Sequence, residues 1–389
     1  MDYFGIPQER LETAGGYWTA REISQQPAVW PQIEQLIAGD AAASRAFLGP
    51  LMQRSDLRIV LTGAGTSGFV GECAAPALAA KTGLRVDAVA TTDLVGSPKS
   101  WLKHEVPTLL VSFARSGNSP ESVAALNLAE QCVQECHHLI FTCNADGALY
   151  QLGKNTRNTR IVLLPEETND RGFAMTSSFS GMLLAAAMTF DLLASDAESA
   201  AQLARSAGEL LAGTLPLIES LARERFERIV YLGSNALKGL AREAALKTLE
   251  LSDGQVVAIS DTPLGFRHGP KTIINGRSLV VVLLCNDPYT RRYEVDLLDE
   301  LRADGVAARV LALTAQSARE RRHADDVALS GAGAAAASDL ALCLPYAVFA
   351  QSLAFMQSLS LGLKPDVPNA RGIVSRVVQG VTIYPLDPA

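Results

Sequence analysis

The 389-residue chain is predicted to fold as two tandem α/β domains from an internal duplication, each a parallel sheet with helices on both faces. Three observations predict this class. Short β-rich runs alternate with helical stretches from about residue 57, as in βαβ units. Three of these runs recur at one fixed separation later in the chain. Hydrophobic residues make up 48% of the chain and charged residues 19%, which is typical of a globular protein with full cores.

The first half is predicted to hold a peripheral helical segment followed by five strands. Residues 1–50 are predicted to be helical, with an apolar face that includes Trp18, Trp30 and Ile33. Strands are predicted at residues 58–63, 86–90, 108–113, 138–142 and 161–164. Because helical stretches separate most of these strands, we expect them to run parallel in one sheet over residues 50–205.

The second half repeats this pattern. Three pairs of runs share one fixed offset along the chain: Arg58-Ile-Val-Leu and Arg228-Ile-Val-Tyr, Thr108-Leu-Leu-Val and Ser278-Leu-Val-Val, Leu139-Ile-Phe and Arg309-Val-Leu. Three runs in register at one offset indicate a duplicated domain. The second domain is predicted over residues 222–365, with helical residues 182–223 as the link and residues 366–389 as a C-terminal tail.

Composition and charge argue against several classes of protein. A formal charge of −7 without a basic stripe argues against nucleic-acid binding. The polar N-terminus lacks the apolar core of a signal peptide. The apolar stretch of residues 342–363 contains Pro345 and Gln351, which favours a core helix over a membrane span. We therefore expect neither nucleic acid nor a membrane as a partner.

The six cysteines favour a reduced, cytoplasmic protein, because no paired CxxC spacing occurs. Cys132, Cys136, His137 and His138 are residue types that bind metals, and Cys132 and Cys136 share a helix face. No second ligand pair follows them at a zinc-like spacing. We therefore interpret these thiols as structural and expect no metal.

A candidate anion site follows the strand at residues 108–113, in the segment Arg115-Ser-Gly-Asn-Ser119. Pro120 and Glu121 suit the first turn of a helix, so Ser119 is predicted as its N-cap. Free backbone N–H groups and the positive end of the helix dipole would join the hydroxyl, amide and guanidinium donors. This combination favours a phosphate monoester. An ordinary capped loop, which needs only one of these serines, is the alternative.

The second half has diverged at the corresponding loop. At the offset that relates Arg58 to Arg228, Ser116-Gly-Asn-Ser119 falls opposite Asn286-Asp-Pro-Tyr289, where Asp287 would repel an anion. We therefore expect one anion site, in a crevice at the carboxyl ends of the strands.

Candidate acid–base groups lie on a predicted helix of the second half. Glu243, Lys247 and Glu250 are spaced i, i+4 and i+7 and share one helix face. A solvated face with a Glu–Lys pair would show the same spacing. Apolar neighbours on this helix instead favour a partly buried carboxylate beside a lysine. Such an arrangement shifts the pKa of an acid–base group. His268, in a loop before Gly269, is a further candidate if it lies near the anion site.

These motifs together resemble those of the sugar isomerase (SIS) domain family, whose paired flavodoxin-like domains bind phosphosugars. Residues 63–67, 115–119 and 267–270 match the family's loops, and the resemblance covers nearly all of the chain after about residue 50. Three more segments resemble bacterial tagatose-6-phosphate ketose/aldose isomerases, a group that implies galactosamine-6-phosphate deaminase activity: residues 170–178, 265–271 and 376–383. The isomerase half of glucosamine-6-phosphate synthase is a second relative.

The resemblance implies a role for each candidate residue. Substrate would be bound by Gly65, Thr66, Ser67, Arg115, Ser116, Asn118, Ser119, Thr176 and Ser177. Glu250 would move a proton between C1 and C2 of the sugar, with Lys247 and Glu243 beside it. His268 would open the pyranose ring from a neighbouring subunit, which implies a homodimer or a dimer of dimers. The resemblance implies no cofactor.

Two departures from the synthase bear on the reaction. Ala114 stands where the synthase has a serine, and Gln379 aligns with a lysine that forms a Schiff base with the ketose.

The expected substrate is an amino-sugar phosphate, with galactosamine 6-phosphate and water giving tagatose 6-phosphate and ammonia. A phosphosugar aldose–ketose isomerase, a phosphosugar sensor and a transcription regulator are the alternatives. The regulator is the weakest, because residues 1–50 lack a basic helix-turn-helix. The sequence leaves the configuration at C4 of the sugar open.

Overall fold

The computed structural model describes residues 2–193, 195–316, 323–329, 333–378 and 380–386. The chain forms two compact units, each with its own sheet. The first-sheet unit consists of residues 32–169, 177–192 and 372–389, and the second-sheet unit of residues 1–31, 170–176 and 193–371. The units interleave along the chain, whereas the domain boundaries expected from the sequence are continuous and stay a prediction.

A five-stranded parallel sheet organises the first-sheet unit. After a short hairpin of β1 (Asp2–Tyr3) and β2 (Ile6–Pro7), its strands are β3 (Arg58–Thr62), β4 (Arg85–Ala88), β5 (Thr108–Ala114), β6 (Cys136–Thr142) and β7 (Thr159–Leu163). Their order across the sheet is β4-β3-β5-β6-β7. Every residue of β3 and β5 is buried, as expected of a parallel sheet covered on both faces. All five predicted strands are confirmed, with ends shifted by one or two residues.

Helices separate these strands, as the sequence predicts. Those between the strands are α3 (Thr66–Thr82), α4 (Thr91–Gly96), α5 (Pro98–Trp101), α6 (Pro120–Cys132) and α7 (Ala148–Gly153). The helices α1 (Gln8–Ala14) and α2 (Tyr17–Met52) precede β3, and α8 (Ser177–Thr189) and α9 (Ala200–Arg223) follow β7. The predicted helical segment of residues 1–50 corresponds to the hairpin, α1 and most of α2. Trp30 and Ile33 on α2 are buried, so its apolar face packs as expected.

The second-sheet unit repeats the same topology. Its strands are β8 (Arg228–Gly233), β9 (Val257–Asp261), β10 (Ser278–Leu283), β11 (Arg309–Thr314) and β12 (Val327–Ala328). Its later helices are α10 (Ala236–Leu251), α11 (Pro263–Phe266), α12 (Pro288–Asp304) and α13 (Asp339–Ser360). The strand order β12-β11-β10-β8-β9 is the flavodoxin-like order 2-1-3-4-5 read from the other edge. The predicted fold class is therefore confirmed.

The separation in residue number between Arg58 and Arg228 relates equivalent residues of β3 and β8, and also those of β5 and β10. It does not relate equivalent residues of β6 and β11. His137 of β6 lies opposite Leu109, and Arg309 of β11 lies opposite Leu279. His137 and Arg309 are therefore the equivalent residues, and the alignment of Leu139 with Arg309 was wrong by two positions. Because side chains alternate with period two along a strand, this shift leaves the same faces buried and is hard to detect in a sequence.

The turn after the first strand is also the same in both units. Gly65 has φ 55° and ψ −126°, and Asn235 has φ 53° and ψ −126°. A Cβ atom on Gly63 would lie 2.5 Å from the backbone of the following helix, and one on Gly233 would lie 2.4 Å from it. Both units thus start with one strand–turn–helix geometry, in which the helix N-terminus comes close to the strand end.

The C-terminal helix α13 is the helix among the described residues that is long and apolar enough to cross a bilayer. Of its most apolar 18-residue window, 89% is buried inside the protein. Tyr346, Phe349 and Phe355 are fully buried. This burial agrees with the core helix that the sequence predicts.

Candidate active site

Two loops of the first-sheet unit lie at the same edge of its sheet. β3 and β5 are parallel neighbours, with Leu61 opposite Val111 and Thr62 opposite Ser112. Residues 63–67 follow β3, and residues 115–119 follow β5. Because the carboxyl ends of neighbouring parallel strands meet at one edge, the fold brings these two predicted substrate loops together. Thr66 and Ser67 lie buried in the first turn of α3, and Gly65 is exposed before it.

Ser119 is the N-cap of α6, as predicted. Its hydroxyl accepts a hydrogen bond from the backbone N–H of Ser122 at 3.3 Å, and Pro120 is the first residue of the helix. Gly117 has φ 66°, which a residue with a side chain adopts only with strain. The loop before α6 therefore turns tightly at Gly117 and presents Ser116 close to a helix N-terminus, the geometry that binds anions.

The loop after β6 braces the Ser116 loop. The side-chain amide of Asn144 donates to the carbonyl of Ser116 at 2.9 Å. Asn118 Oδ1 accepts from the backbone N–H of Ala148 at 2.9 Å, which leaves its amide nitrogen as the donor for an anion. A Cβ on Gly147 would lie 2.4 Å from the carbonyl oxygen of Ser116, so only glycine allows this approach. The sequence did not single out Asn144 or Gly147, since their role depends on a contact across two strands.

Arg115 is the clearest structural sign of a ligand in this loop. Its side chain is 5% exposed, and Nη2 donates to the carbonyl of Arg376 at 2.8 Å. Nε and Nη1 are buried and have no hydrogen-bond partner within the described part of the chain. Leaving buried donors unsatisfied is costly, so a buried guanidinium with two unused donors favours an anion as their partner.

Thr176 and Ser177 lie where the chain passes from one unit to the other. Thr176 is fully buried in the second-sheet unit, where its backbone N–H and hydroxyl donate to the carboxylate of Asp170 at 2.9 and 3.2 Å. Ser177 is the buried first residue of α8 in the first-sheet unit. Asp170 therefore holds Thr176 in place. Asp170 is the first residue of the 170–178 segment noted in the sequence, but no role was predicted for it.

Glu22 on α2 holds the segment that starts at Asp170. Its carboxylate accepts from the backbone N–H groups of Arg171 at 2.5 Å and of Gly172 at 3.1 Å. A Cβ on Gly172 would lie 2.9 Å from Glu22 Oε2, so the glycine makes this approach possible. Burial and the neighbouring carboxylate of Asp170 raise the pKa of Glu22 to about 8. No sequence pattern indicated this contact, because it joins residues that are far apart in the chain.

The predicted acid–base residues occupy one buried face of α10. Lys247 is fully buried, and its Nζ lies 3.6 Å from Oε1 of Glu243, which is 1% exposed. Lys247 also forms a shorter ion pair with Oε2 of Glu250, whose side chain is 25% exposed. The alternative of a solvated face is therefore wrong. Of the three groups, Glu250 is the one that solvent and a ligand can reach.

His268 follows α11 in the second-sheet unit and is exposed. Its backbone N–H donates to the carbonyl of Gly265 at 2.9 Å, and Gly269 after it has φ 122°. His268 is therefore accessible from solvent. Gln379, which aligns with the synthase lysine, lies outside the described residues.

In the second-sheet unit a carboxylate of the protein fills the corresponding strand-end loop. The backbone N–H of Asn286 donates to Asp339 Oδ1 at 2.7 Å. Asp287 is the N-cap of α12 and accepts from Thr290 N–H at 2.7 Å. It thus corresponds to Ser119, and the alignment with Gly117 was wrong. Counted from the equivalent strand residues Phe113 and Leu283, the connection to the helix is two residues shorter in this unit. Burial raises the pKa of Asp339, while the N–H groups of Asn286 and Asp287 oppose the rise.

The chain is similar to proteins of known family. The SIS domain model matches residues 51–192. D-galactosamine-6-phosphate deaminase AgaS of Escherichia coli O157:H7 is 46% identical over 96% of this chain and 97% of that protein, and the protein of the same name from Shewanella sp. (strain ANA-3) is 40% identical over 98% and 95%.

Solved structures give the same result. The tagatose-6-phosphate ketose/aldose isomerase from Escherichia coli superimposes with a TM-score of 0.86 at 43% identity, over 96% of this chain and 98% of that chain. Glucosamine-6-phosphate deaminase from Thermotoga maritima, at 19% identity, has a TM-score of 0.69 over 93% of this chain and 99% of that one. The second likeness shows a shared fold.

Proposed function

The chain belongs to the SIS-domain family, as do the proteins named D-galactosamine-6-phosphate deaminase AgaS, and we therefore propose that it converts galactosamine 6-phosphate and water to tagatose 6-phosphate and ammonia. The observation that carries the proposal is the buried Lys247 with a carboxylate on either side. A non-catalytic sugar-binding protein has no need of a buried lysine that holds a reachable glutamate.

The phosphate group of the substrate would be bound by the Ser116 loop. Ser116 and Ser119 offer hydroxyl donors, Asn118 its amide nitrogen, and α6 the positive end of its dipole. The two unused donors of Arg115 support this assignment, and they supply charge where Ala114 has no hydroxyl. Thr66, Ser67, Thr176 and Ser177 are proposed sugar contacts. Fixing the phosphate at C6 would give the reacting carbons one position in every turnover.

Glu250 would act as the general base. After ring opening, Glu250 removes the proton from C2 while the carbonyl oxygen on C1 takes up a proton from solvent, which gives an enolamine. Glu250 then returns its proton to C1, which gives an iminium at C2. Water adds to the iminium carbon, and cleavage of the C–N bond releases ammonia and leaves the ketone of tagatose 6-phosphate. Lys247 stabilises the negative charge that develops on the substrate oxygen, and Glu243 keeps the lysine in place.

His268 would open the pyranose ring by moving a proton between the ring oxygen and the C1 hydroxyl. The exposure of His268 supports the proposal that it serves the site of a neighbouring copy of this chain, in a homodimer or a dimer of dimers. The steps written here use only side chains, so the proposal includes no metal or organic cofactor. The six free cysteines support a reducing compartment, the cytoplasm.

Ammonia release tests the proposal. The purified protein is incubated with galactosamine 6-phosphate and separately with glucosamine 6-phosphate, and ammonia is measured with a coupled dehydrogenase. We expect one ammonia per ketose phosphate formed from galactosamine 6-phosphate, and a slower reaction with the gluco sugar. Absence of ammonia with both amino sugars would contradict the proposed function.

A simple aldose–ketose isomerase is the second candidate, favoured by the similarity to the structure named tagatose-6-phosphate ketose/aldose isomerase. It would use Glu250 in the same way but without loss of nitrogen. Interconversion of galactose 6-phosphate and tagatose 6-phosphate, with no ammonia from the amino sugar, would establish it. Tight binding of phosphosugars without any turnover would instead indicate a sensor.

A further inference from the structure

A second cluster of reactive side chains lies in the first-sheet unit, away from the Ser116 loop. Glu130 near the end of α6 and two residues of β6, Cys136 and His138, each offer one ligand atom, and these atoms lie within 4.8 Å of one another. Cys136 and His138 are two residues apart on one strand and therefore point to the same face of the sheet. Both are buried, whereas Glu130 is exposed and opens the cluster to solvent.

The protein leaves the imidazole of His138 only half satisfied. Its Nε2 is hydrogen-bonded to Glu130 Oε1 at 2.6 Å. Its Nδ1 is buried and has no hydrogen-bond partner in the part of the chain that the structure describes. Asn158 orients the cluster, because its amide donates to Glu130 Oε1 and to the carbonyl of Cys136, both at 2.8 Å. Because Nε2 is the ring nitrogen that faces Glu130, it is the one that would bind a metal ion held between the imidazole and this carboxylate.

We propose that Glu130, Cys136 and His138 bind one divalent metal ion of the zinc type. Thiolate, imidazole and carboxylate are the three ligand types that zinc uses, and a water molecule reaching the exposed side of Glu130 completes a tetrahedron. The donor set disfavours Mg²⁺ and Ca²⁺, which prefer oxygen ligands. Asn158 plays the part of the outer residue that holds a ligating carboxylate in position.

Little movement is needed to bind the ion. Zinc bonds of roughly 2.0–2.3 Å at tetrahedral angles place neighbouring ligand atoms roughly 3.3–3.8 Å apart. His138 Nε2 and Glu130 Oε1, which lie 2.6 Å apart, must therefore separate by about 1 Å to admit the ion between them. The exposed side chain of Glu130 can rotate to do this. The imidazole binds as the neutral ring, so the proton released is the one from Cys136: the S–H bond breaks, an S–metal bond forms and one proton passes to solvent.

This metal site lies at the opposite edge of the sheet from the Ser116 loop. Cys136 pairs with Thr108 at the start of β5, whereas the Ser116 loop follows the end of that strand at Ala114. Seven strand residues at about 3.3 Å each separate the two edges by roughly 20 Å. The ion would therefore join the end of α6 to the start of β6 and stabilise the unit. It would not touch substrate.

Cobalt binding tests the proposal, because a Co²⁺–thiolate bond gives a charge-transfer absorption band in the near ultraviolet. The reduced full-length protein is freed of metal with a chelator and titrated with Co²⁺. We expect one ion per chain with the thiolate band, displacement by Zn²⁺, one proton released per ion, and a higher melting temperature with Zn²⁺. Deaminase turnover should be the same with and without Zn²⁺, so this test and that of the proposed function are independent.

Three variants locate the site. Cys136→Ala should abolish the thiolate band, and Cys132→Ala, a half-buried thiol four residues earlier, should keep it. Glu130→Gln changes an exposed position and should fold normally, with Co²⁺ affinity about 10–100-fold lower. An unchanged band in Cys136→Ala, or unchanged affinity in Glu130→Gln, would overturn the assignment. Absence of a thiolate band in the unaltered protein would overturn it as well.

Discussion

Lys247 is fully buried, and its ammonium forms an ion pair with the partly exposed carboxylate of Glu250 one turn further along α10. The pair orients Glu250 from the buried side and leaves the other side of its carboxylate open. A surface Glu–Lys pair contributes little to stability, whereas a buried lysine is kept only where its charge is balanced. This relationship makes Glu250 the first residue to test.

Replacing Glu250 with glutamine should lower kcat by roughly 10² to 10⁴, because the amide keeps the shape but cannot accept the C2 proton. Binding of a product analogue should persist. In heavy water the unaltered protein should place deuterium at C1 of tagatose 6-phosphate, and the variant should not. Glu219→Gln, at a partly exposed position on α9 where the carboxylate also forms an ion pair with a helix neighbour, Arg223, is the matched control and should behave as the unaltered protein. Near-normal turnover of Glu250→Gln would move the base elsewhere.

Replacing Ser116 with alanine should raise KM and change kcat less. Hydrogen bonds to charged groups contribute about 1.5–3 kcal/mol, which corresponds to a KM increase of roughly one to two decades. The measurement is steady-state kinetics with the amino-sugar phosphate, together with binding of inorganic phosphate. Ser100→Ala, at an exposed position on α5, serves as the control. If KM is unchanged, Ser116 does not anchor the phosphate.

Activity should be restored when two inactive variants are mixed, if His268 acts across a dimer. One variant is Ser116→Ala/Glu250→Gln, and the other is His268→Ala. Each mixed dimer then contains one site with all groups intact, so random exchange gives at most about a quarter of normal activity. Subunits are exchanged by unfolding and refolding the mixture, and mass spectrometry confirms mixed dimers. No recovery in such dimers would place His268 in the site of its own chain or outside catalysis.

Glu22 should make the free energy of unfolding fall as pH rises from about 5 to 8. Its pKa is about 8 in the folded protein, against an ordinary value of 4.5, so between these values the folded state holds a proton that the unfolded state has lost. Ionising Glu22 beside Asp170 and Asp366 opposes folding above this range. Glu22→Gln removes this dependence and should gain stability relative to the unaltered protein as pH rises.

Denaturant unfolding at a series of pH values measures this effect. Glu9→Gln, on the exposed side of α1, is the control and should follow the unaltered protein at every pH. A stability difference between Glu22→Gln and the unaltered protein that stays constant from pH 5 to pH 8 would contradict the prediction.

Local periodicity in the sequence was enough to specify the strands, the helix start and the shared helix face. The apolar runs at residues 58–63 and 108–113 predict buried parallel strands, and their recurrence from Arg228 and from Ser278 predicts a second sheet of the same kind. Ser119 before Pro120 specifies the start of α6, because capping depends on residues within one turn. The shared face of Glu243, Lys247 and Glu250 follows from helix geometry.

Which polar groups are buried, and what they contact, depended on the packing of distant elements. The contact of Arg115 with Arg376, that of Glu22 with Arg171, and the carboxylate of Asp339 in the Asn286 loop each join residues that are distant in the chain. Glu130 lies close to Cys136 and His138, although they are near in the chain, because α6 packs beside β6. Such contacts leave no repeating pattern in the sequence. They arise when separate elements pack and buried polar atoms take whichever partners the packing brings within reach.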